Sequence, residues 1–599
     1  MIRANHSSAR ATLSAAALVG LLAVAIYLPS LRNGFVWDDP IVLDRQLPYF
    51  DGPGDAFFPP PDVPQWGAHY YRPLVVVSYL LDDLIVRAAF RPEARAEGRR
   101  LVFHATPVLL HGVASALVVA LGAALSRRFR EGRSSLAVPV AAGLLFAVHP
   151  VHVESVAWLA GRSDLLCAAF ALAALAASLR WLETRRTAWV AATGALALAA
   201  MLSKEVGLSL IGLLPLLAWL PRGALRGRAR DVGLAAGVAG LAAAVMLALR
   251  WGAAPPGPTQ PIAWTEPGRA ILAALGWYSL KVAWPAPFSA FVDRVPDSAG
   301  LTIAGALVGT GLGALVLGSL SRGRAGAEAL GAALFLFPLA PALAVAAGTI
   351  AATPLAERYL YLPSAGAALL AALVVEDLVP RRVSAPDRRT GAVVLGTTVA
   401  IAAVALPATV DRQRVWRDDL AFWSDAAEKS PQAWLVQDAL GTALANAGRL
   451  AEADARFRRA AELATRPFDR ARARTNLGSL ASREQRWDAA IAEFRAALAD
   501  DPQLDAAHAN LAQALLARYA ARPVPADKPA VMAEAAGHFD AARRLDPRKA
   551  SVHFAYGMLM VDMGRPAEAI QPLREVIALA PDSPEAETAR RVLGATGVR

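Results

Sequence analysis

The sequence is poor in cysteine and in charged residues. Its one cysteine, Cys167, lies in an apolar segment, which excludes an internal disulfide and a zinc site built on several cysteines. Only 19% of the 599 residues are charged, 55% are hydrophobic, and the mean hydropathy is +0.37. This composition excludes an ordinary water-soluble globular protein and is typical of a protein with several membrane spans.

The positive charge of the chain is unevenly distributed. The whole sequence has a net charge of +11, but residues 411–599 contain 27 Lys and Arg against 26 Asp and Glu, a net of +1. Nearly all of the excess therefore lies in residues 1–410, among the hydrophobic segments. Basic residues that flank membrane spans set topology. The pI of about 10.1 therefore does not indicate nucleic-acid binding, and we expect no nucleic-acid partner.

About eleven hydrophobic segments are predicted to form an all-α polytopic membrane bundle in residues 1–410. The first, residues 11–31, is interpreted as a retained anchor, because its apolar run is long and no small-residue cleavage site precedes Arg32. Residues 269–284, bordered by Trp277 and Trp284, are expected to form a re-entrant or interfacial helix. The other ten spans are residues 101–125, 136–149, 164–182, 188–203, 206–220, 232–250, 301–319, 328–350, 361–379 and 391–409.

Arginines cluster in alternate loops and predict the orientation of the bundle. The positive-inside rule makes these loops cytoplasmic, and the N-terminus with them. An odd number of spans then places the residues after 410 outside, so we expect an integral membrane protein with an extracytoplasmic C-terminal domain. Its expected location is a bacterial inner membrane. The clusters lie in residues Arg127–Arg133, Arg185–Arg186, Arg222–Arg230, Arg322–Arg324 and Arg381–Arg389.

Residues 411–599 contain a repeat of about 34 residues. In each repeat, a small residue at a predicted helix crossing precedes a large apolar residue in a second helix. The pairs are Gly441 with Phe457, Gly478 with Phe494, Ala512 with Phe539 and Gly557 with Leu573. This is the tetratricopeptide (TPR) pattern, and we predict that these residues form the core of an α-solenoid. Its concave face suits an extended peptide of a partner protein, and the sequence does not identify that partner.

The loops of the predicted outer face carry an unusual set of polar residues. Two adjacent carboxylates directly follow the first span, and cations and further acids follow in later loops. A carboxylate within reach of a hydroxyl can act as a general base, and cations can neutralise a phosphate. For each of these residues, capping of a helix end is the alternative interpretation. The set is Asp38, Asp39, Arg72, His149, His152, Glu154, Arg162, Lys204, Glu205, Glu357 and Arg358.

The spacing of His149, His152 and Glu154 could also suit a metal ion. No fourth ligand is apparent in the sequence, so we do not predict a zinc site. A divalent ion bound to Asp38 or Asp39 is left open.

Taken together, these segments resemble the transmembrane and tetratricopeptide-repeat-containing (TMTC-type) O-mannosyltransferases. The matching segments are Phe35–Asp39, His149–Leu166, Ser203–Gly207, Glu357–Ser364 and Val415–Trp423, in the order that the family has. The resemblance implies a GT-C-like membrane domain, residues 1–410, followed by a soluble TPR domain, residues 411–599. It implies transfer of mannose or another hexose from a polyprenyl-phosphate donor to Ser or Thr hydroxyls of proteins on the extracytoplasmic face.

The resemblance also implies roles for the outer-loop residues. Asp38 or Asp39 would deprotonate the acceptor hydroxyl, and the choice between them stays open. The remaining residues would form the donor site. Arg72, Lys204 and Arg358 would hold the lipid phosphate, and His149, His152, Glu154, Arg162, Glu205 and Glu357 would line the rest.

Two other functions fit parts of the sequence. A non-enzymatic membrane scaffold would use the TPR domain to assemble envelope proteins, and its outer-loop charges would be dispensable. A transporter of lipid-linked sugars would need charged residues within its spans. The predicted spans contain almost none, which counts against a transporter.

Overall fold

The computed structural model describes residues 2–60, 63, 71–130, 136–220, 225–253, 267–284, 286–322, 326–348, 353–379 and 388–595. Contacts divide the chain into two units, Met1–Asp425 and Ala426–Arg599. Within the described ranges, no β-strand is present, and Val292 and Leu355 form an isolated bridge. The all-α fold class predicted from the sequence is confirmed.

Helices of very different lengths build the first unit. They are α1 (Ile2–Tyr27), α2 (Pro53–Phe57), α3 (Pro73–Ala89), α4 (Arg95–Phe129), α5 (Ala137–Val148), α6 (Val153–Ala157), α7 (Arg162–Thr184), α8 (Thr187–Ser203), α9 (Leu210–Trp219), α10 (Leu225–Ala253), α11 (Pro267–Ala283), α12 (Ala299–Arg322), α13 (Gly326–Ala347), α14 (Tyr361–Leu378), α15 (Arg388–Arg412) and the first residues of α16 (Asp419–Lys429). Short 3-10 turns, including Leu159–Gly161, Glu205–Ser209 and Glu357–Leu360, join several of them.

Each of the eleven predicted spans coincides with a helix of the first unit. Eight helical stretches in the described residues are long and apolar enough to cross a membrane, so the protein is an integral membrane protein. The three others are shorter: Ala137–Val148 is bent by 51° against Pro150–Ala157, and Thr187–Ser203 and Glu205–Trp219 have fewer than 18 residues. A 17-residue helix is about 25 Å long, less than the bilayer core of about 30 Å.

Some predictions about the membrane arrangement stay predictions. Helix α11 is not among the eight candidate spans, and its expected interfacial or re-entrant position is not tested. Several arginines that predicted the orientation lie outside the described residues. They are Arg133, Arg222, Arg324, Arg381 and Arg382.

Helix α4 is the centre of the first unit and packs against α1, α5 and α7. Helices α1 and α4 cross at a short distance: a Cβ on Gly20 would lie only 2.8 Å from the carbonyl oxygen of Gly112. The buried His111 of α4 hydrogen-bonds the Tyr361 hydroxyl at 2.8 Å and the Ala147 carbonyl at 3.1 Å. These contacts join α4 to α5 and to the start of α14, directly after the turn that carries two of the predicted site residues.

The second unit consists of antiparallel helix pairs. A Cβ on Gly478 would lie 2.6 Å from the ring of Phe494, so glycine allows the close crossing of α19 and α20. Phe457, Phe494, Phe539 and Leu573 are buried as predicted, and the TPR fold is confirmed. The helices are α17 (Trp434–Asn446), α18 (Leu450–Leu463), α19 (Pro467–Arg483), α20 (Trp487–Asp500), α21 (Asp505–Ala521), α22 (Lys528–Leu545), α23 (Ala550–Asp562), α24 (Pro566–Leu579) and α25 (Pro584–Ala595).

Contacts group residues 411–425 with the first unit, and the domain boundary at residue 410 stays a prediction. The Gln413 side chain donates to the Ile26 carbonyl at 3.0 Å, and Asp419 accepts from the backbone of Trp37 at 2.9 Å. The segment before the repeats therefore packs on the end of α1 and on the loop that follows it.

Candidate active site

Charged residues from several loops of the first unit meet in one region. The loop after α1 supplies Asp38 and Asp39, and the break after α8 supplies Lys204 and Glu205. The others come from the start of α3, from α6, from the start of α7 and from the turn Glu357–Leu360. Ion pairs and ring contacts join them into one candidate site.

Asp39 is fully buried, and backbone amides hold its carboxylate. Oδ2 accepts a hydrogen bond from Val36 N at 3.1 Å, and Oδ1 accepts one from Ala160 N at 3.2 Å. Burial raises the pKa of Asp39 to about 8, although these amide donors oppose the rise. Both oxygens are occupied, so Asp39 fixes the loop after α1 to the turn before α7.

Asp38 lies next to Asp39 in a different environment. Its side chain is partly exposed, and its carboxylate has no hydrogen-bond partner in the part of the chain that the structure describes. Burial raises the pKa of Asp38 to about 7, and the positive charge of Arg358 opposes the rise. A carboxylate that is not bound to protein and titrates near neutral pH is suited to accept a proton.

Arg358 is held by Glu154 and by two aromatic rings. Its guanidinium bonds one oxygen of Glu154, and its backbone N–H donates to the other at 3.0 Å. The guanidinium carbon lies 5.3 Å from the ring centroid of Trp158 and 4.8 Å from that of Tyr359. These contacts fix the guanidinium, while 14% of the side chain stays exposed.

Lys204 and Glu205 pair with different partners. The Lys204 ammonium lies 2.6 Å from both carboxylate oxygens of Asp164. It also lies 5.3 Å from the ring centroid of Tyr359, the ring that contacts Arg358. Glu205 receives two hydrogen bonds from Arg72, at 2.8 and 3.3 Å. The Arg72–Glu205 pair is partly exposed, at 23% and 32%.

Glu357 is bound by α11 and by the segment that follows it. It accepts hydrogen bonds from the Lys281 ammonium at 3.2 Å and from Ser289 N at 3.0 Å, and it is 1% exposed. Lys281 also donates to the Pro287 carbonyl and lies 5.1 Å from the ring centroid of Trp277. The contacts anchor the turn that carries Arg358.

Arg162 is fully buried, and the two terminal nitrogens of its guanidinium have several partners. Its guanidinium lies 2.6 Å from Asp82, donates to the Phe103 carbonyl at 2.7 Å and to Ser78 Oγ at 3.2 Å. The Tyr79 ring centroid lies 4.6 Å away. This placement joins α7 to α3 and α4 and exposes no part of Arg162 to a phosphate.

The two histidines predicted to line the donor site, His149 and His152, hydrogen-bond to other parts of the first unit. His149 Nε2 lies 2.9 Å from the Val282 carbonyl, and His152 Nε2 lies 2.7 Å from Ser364 Oγ. Glu154 is bound to Arg358 instead. Within the described ranges, no group of three or more His, Cys, Asp and Glu side chains is arranged to hold a metal ion.

Each cation of the candidate site has a carboxylate partner. Asp82, Asp164 and Lys281 complete these pairs and were not predicted as site residues. Asp82 and Lys281 lie in largely apolar stretches, which is the signal that could have identified them. The pairs are Arg72 with Glu205, Arg162 with Asp82, Lys204 with Asp164, Lys281 with Glu357 and Arg358 with Glu154.

The fold and the site together define an integral membrane protein with a TPR unit and a cluster of paired charges beside a partly exposed carboxylate. The chain is similar to protein O-mannosyl-transferase TMTC4 of Homo sapiens, with 32% identity over 219 residues, 33% of this chain and 28% of that protein. It is also similar to protein O-mannosyl-transferase Tmtc2 of Drosophila melanogaster, with 34% identity over 200 residues, 31% of this chain and 20% of that protein.

The predicted resemblance to the TMTC O-mannosyltransferases is thus confirmed. The aligned part of the chain spans less than a third of the length of these curated relatives. No protein-family description matches the chain.

Solved structures of TPR proteins are also similar to the chain. The Thermus thermophilus TPR protein TTC0263 is 23% identical, with a TM-score of 0.24, over 28% of this chain and 84% of that one. YrrB is 17% identical, with a TM-score of 0.23, over 33% of this chain and 89% of that one.

Proposed function

We propose that the protein is a membrane glycosyltransferase that moves a hexose from a polyprenyl-phosphate donor to Ser or Thr hydroxyls of proteins. The observation that carries the proposal is Asp38, a partly exposed carboxylate whose pKa burial raises to about 7 and on which the positive charge of Arg358, held by Glu154, acts. The reaction needs a base and a cation that binds the phosphate. The names of the similar curated proteins support the same class of reaction.

In the proposed step, Asp38 takes the proton of the acceptor hydroxyl. The oxygen then forms a bond to the anomeric carbon of the sugar, while the bond from that carbon to the phosphate oxygen breaks. The electron pair of the broken bond leaves with the lipid phosphate, whose negative charge Arg358 stabilises. A single displacement of this kind inverts the anomeric centre.

Arg72 and Lys204 are the other two cations of the proposed phosphate site. The Tyr359 ring contacts both Lys204 and Arg358, so both cations lie against one ring. Glu205, the partner of Arg72, is 32% exposed, more than the carboxylates paired with Lys204 and Arg358. A phosphate that binds Arg72 can therefore displace its carboxylate partner with the least rearrangement. In a bacterium the carrier would be undecaprenyl phosphate, and the sugar need not be mannose.

We further propose that the reaction takes place on the extracytoplasmic face and that the TPR repeats, with residues 411–599 as the proposed domain, bind the acceptor protein. The face follows from the arginine-rich loops of the sequence, and the repeats supply a solenoid suited to an extended segment.

The direct test is transfer by the purified full-length protein in lipid nanodiscs. Synthetic polyprenyl-phosphate hexoses and the matching nucleotide sugars are offered separately with envelope proteins, and modified Ser and Thr peptides are found by mass spectrometry. Transfer from the lipid-linked donor alone is expected. If neither donor is used, although the protein binds envelope proteins through its repeats, the scaffold function is favoured.

A further inference from the structure

Trp37, the residue before the candidate base, has an unusual backbone conformation. Its φ is +56°, in the left-handed region that large side chains rarely adopt. Gly, Asn or Asp usually occupies such a position in a turn. A tryptophan keeps this conformation only where its surroundings hold it there.

The conformation of Trp37 sets the direction of Asp38. Asp39 N donates to the Val36 carbonyl at 3.1 Å, which closes a tight turn with Trp37 and Asp38 at its centre. The Asp38 carbonyl accepts from Val42 N at 3.1 Å, so the chain is fixed on both sides. A change of Trp37 to negative φ would open this turn and rotate the Asp38 carboxylate.

A carboxylate far along the chain and four aromatic rings hold Trp37 in place. Asp419 Oδ1 accepts a hydrogen bond from Trp37 N at 2.9 Å, across 382 residues of sequence. The neighbouring carboxylate, Asp418, is engaged with Arg417 and Ala421. Four rings surround the Trp37 indole: Trp158 at 5.1 Å between centroids, Phe422 at 5.4 Å, Trp423 at 5.8 Å and Phe291 at 5.9 Å.

We propose that Asp419 is a positioning residue for the candidate base. Asp419 accepts a hydrogen bond from the Trp37 backbone N–H and so stabilises the left-handed turn that sets the direction of the Asp38 carboxylate. The inference rests on the proposed function of Asp38. In this proposal, the start of α16, which precedes the repeats, helps to position the base of the first unit.

The test compares Asp419→Ala with Asp419→Asn in the full-length protein. Hydrogen exchange of a peptide that contains Trp37 reports the amide, and transfer kinetics report the site. Asp419→Ala is expected to remove protection of the Trp37 amide and to lower kcat about ten- to a hundredfold, with KM for the donor unchanged. Asparagine keeps an acceptor oxygen, so Asp419→Asn is expected to retain the protection and most of the activity. Asp411→Ala, which removes an exposed carboxylate paired with Arg414, is the control.

A second background separates positioning from general destabilisation. Glycine adopts positive φ without steric cost, so Asp419→Ala is expected to lower kcat less in a Trp37→Gly background than in the wild type. Effects of equal size in the two backgrounds would overturn the proposal. So would loss of amide protection with kcat intact, or protection that stays the same in Asp419→Ala.

The two levels of inference fail differently. If the wild-type protein transfers no sugar, the proposed function fails and the role of Asp419 in catalysis fails with it, while hydrogen exchange still decides whether Asp419 holds Trp37. If the wild type is active and Asp419→Ala is fully active, only the positioning proposal is overturned.

Discussion

Separate replacement of Asp38 and Asp39 by asparagine is expected to distinguish chemistry from folding. Asp38→Asn keeps the shape of the side chain and removes the base, so the transfer rate is expected to fall roughly 10²–10⁴-fold. Folding disfavours the charged form of Asp38, because burial raises its pKa to about 7. Stability therefore decreases as the pH rises from the ordinary pKa of aspartate towards 7. At pH 7.5, Asp38→Asn is expected to be at least as heat-stable as the wild type.

Asp39→Asn is expected to weaken the fold. The Asp39 carboxylate receives one backbone N–H on each oxygen, from Val36 and from Ala160. Asparagine offers one acceptor oxygen and an NH₂ group, so one buried N–H would face another donor. A buried polar group left without its partner costs about 1–3 kcal/mol, and the melting temperature should fall accordingly.

Both variants are compared with the wild type at equal expression and membrane insertion. Glycan-shift mass spectrometry of envelope proteins measures transfer, and thermal unfolding in nanodiscs measures stability. The reasoning is refuted if Asp38→Asn retains full activity, or if Asp39→Asn is inactive and fully stable, which would make Asp39 the base. An unchanged glycoproteome in both variants and in a full deletion would favour the scaffold.

Three further predictions follow from the site and the repeats. The base must be deprotonated and the pKa of Asp38 is raised to about 7, so kcat/KM is expected to fall about tenfold per pH unit below pH 7 and to level off above it, in profiles from pH 5.5 to 8.5. Arg358→Lys removes the planar group that bonds Glu154 and is expected to lower kcat/KM about ten- to a hundredfold, measured by transfer from the lipid-linked donor. Phe494→Ala empties a site that is 1% exposed and is expected to lower the free energy of unfolding of the repeats by about 3–5 kcal/mol, measured by denaturant unfolding of the full-length protein.

Each of these predictions has a control and a contradicting result. An Asp38→Asn protein should lose the pH dependence, and an unchanged acid limb in that variant would assign it to another group. Arg449→Lys changes an exposed arginine that is also paired with a glutamate, and equal losses in the two lysine variants would show that Arg358 has no special role. Phe468→Ala removes a half-exposed ring of the same repeats, and a loss as large as that of Phe494→Ala would contradict the core assignment.

The sequence predicted the helices and the repeats well because both depend on patterns of local residues. Each span that was predicted from an apolar run coincides with a helix, and the recurring spacing of glycine and phenylalanine predicted the repeats. The shorter spans could not be assigned from apolarity alone, because the break at Lys204 and the bend after Val148 depend on packing. Residues 411–425 have the composition of the repeats, and contacts group them with the first unit.

The sequence also located the charged loops but not their pairing. Lys204 and Glu205 are adjacent in sequence, yet the extended backbone of Lys204, with φ −163° and ψ 151°, helps to direct the two side chains to different partners. The sequence could not show that Arg162 pairs with Asp82, because Asp82 lies in α3, a helix that the span prediction did not include. Partners that are distant in sequence cannot be read from spacing.

The distinction between Asp38 and Asp39 was likewise beyond the sequence. Both follow the same span and have the same chemistry. Only the turn around Trp37 and the amide of Ala160 show that one carboxylate is bound and the other is not.

The complete pairing of cations with carboxylates has a consequence for the choice of ligand. An anion that approaches Arg72 or Arg358 must compete with a glutamate that already neutralises it. Anionic phospholipids are abundant in membranes, and an array of unpaired arginines would attract their headgroups without discrimination. Paired charges therefore favour a phosphate that brings further contacts with it, and for the proposed lipid-linked donor those contacts would come from the sugar.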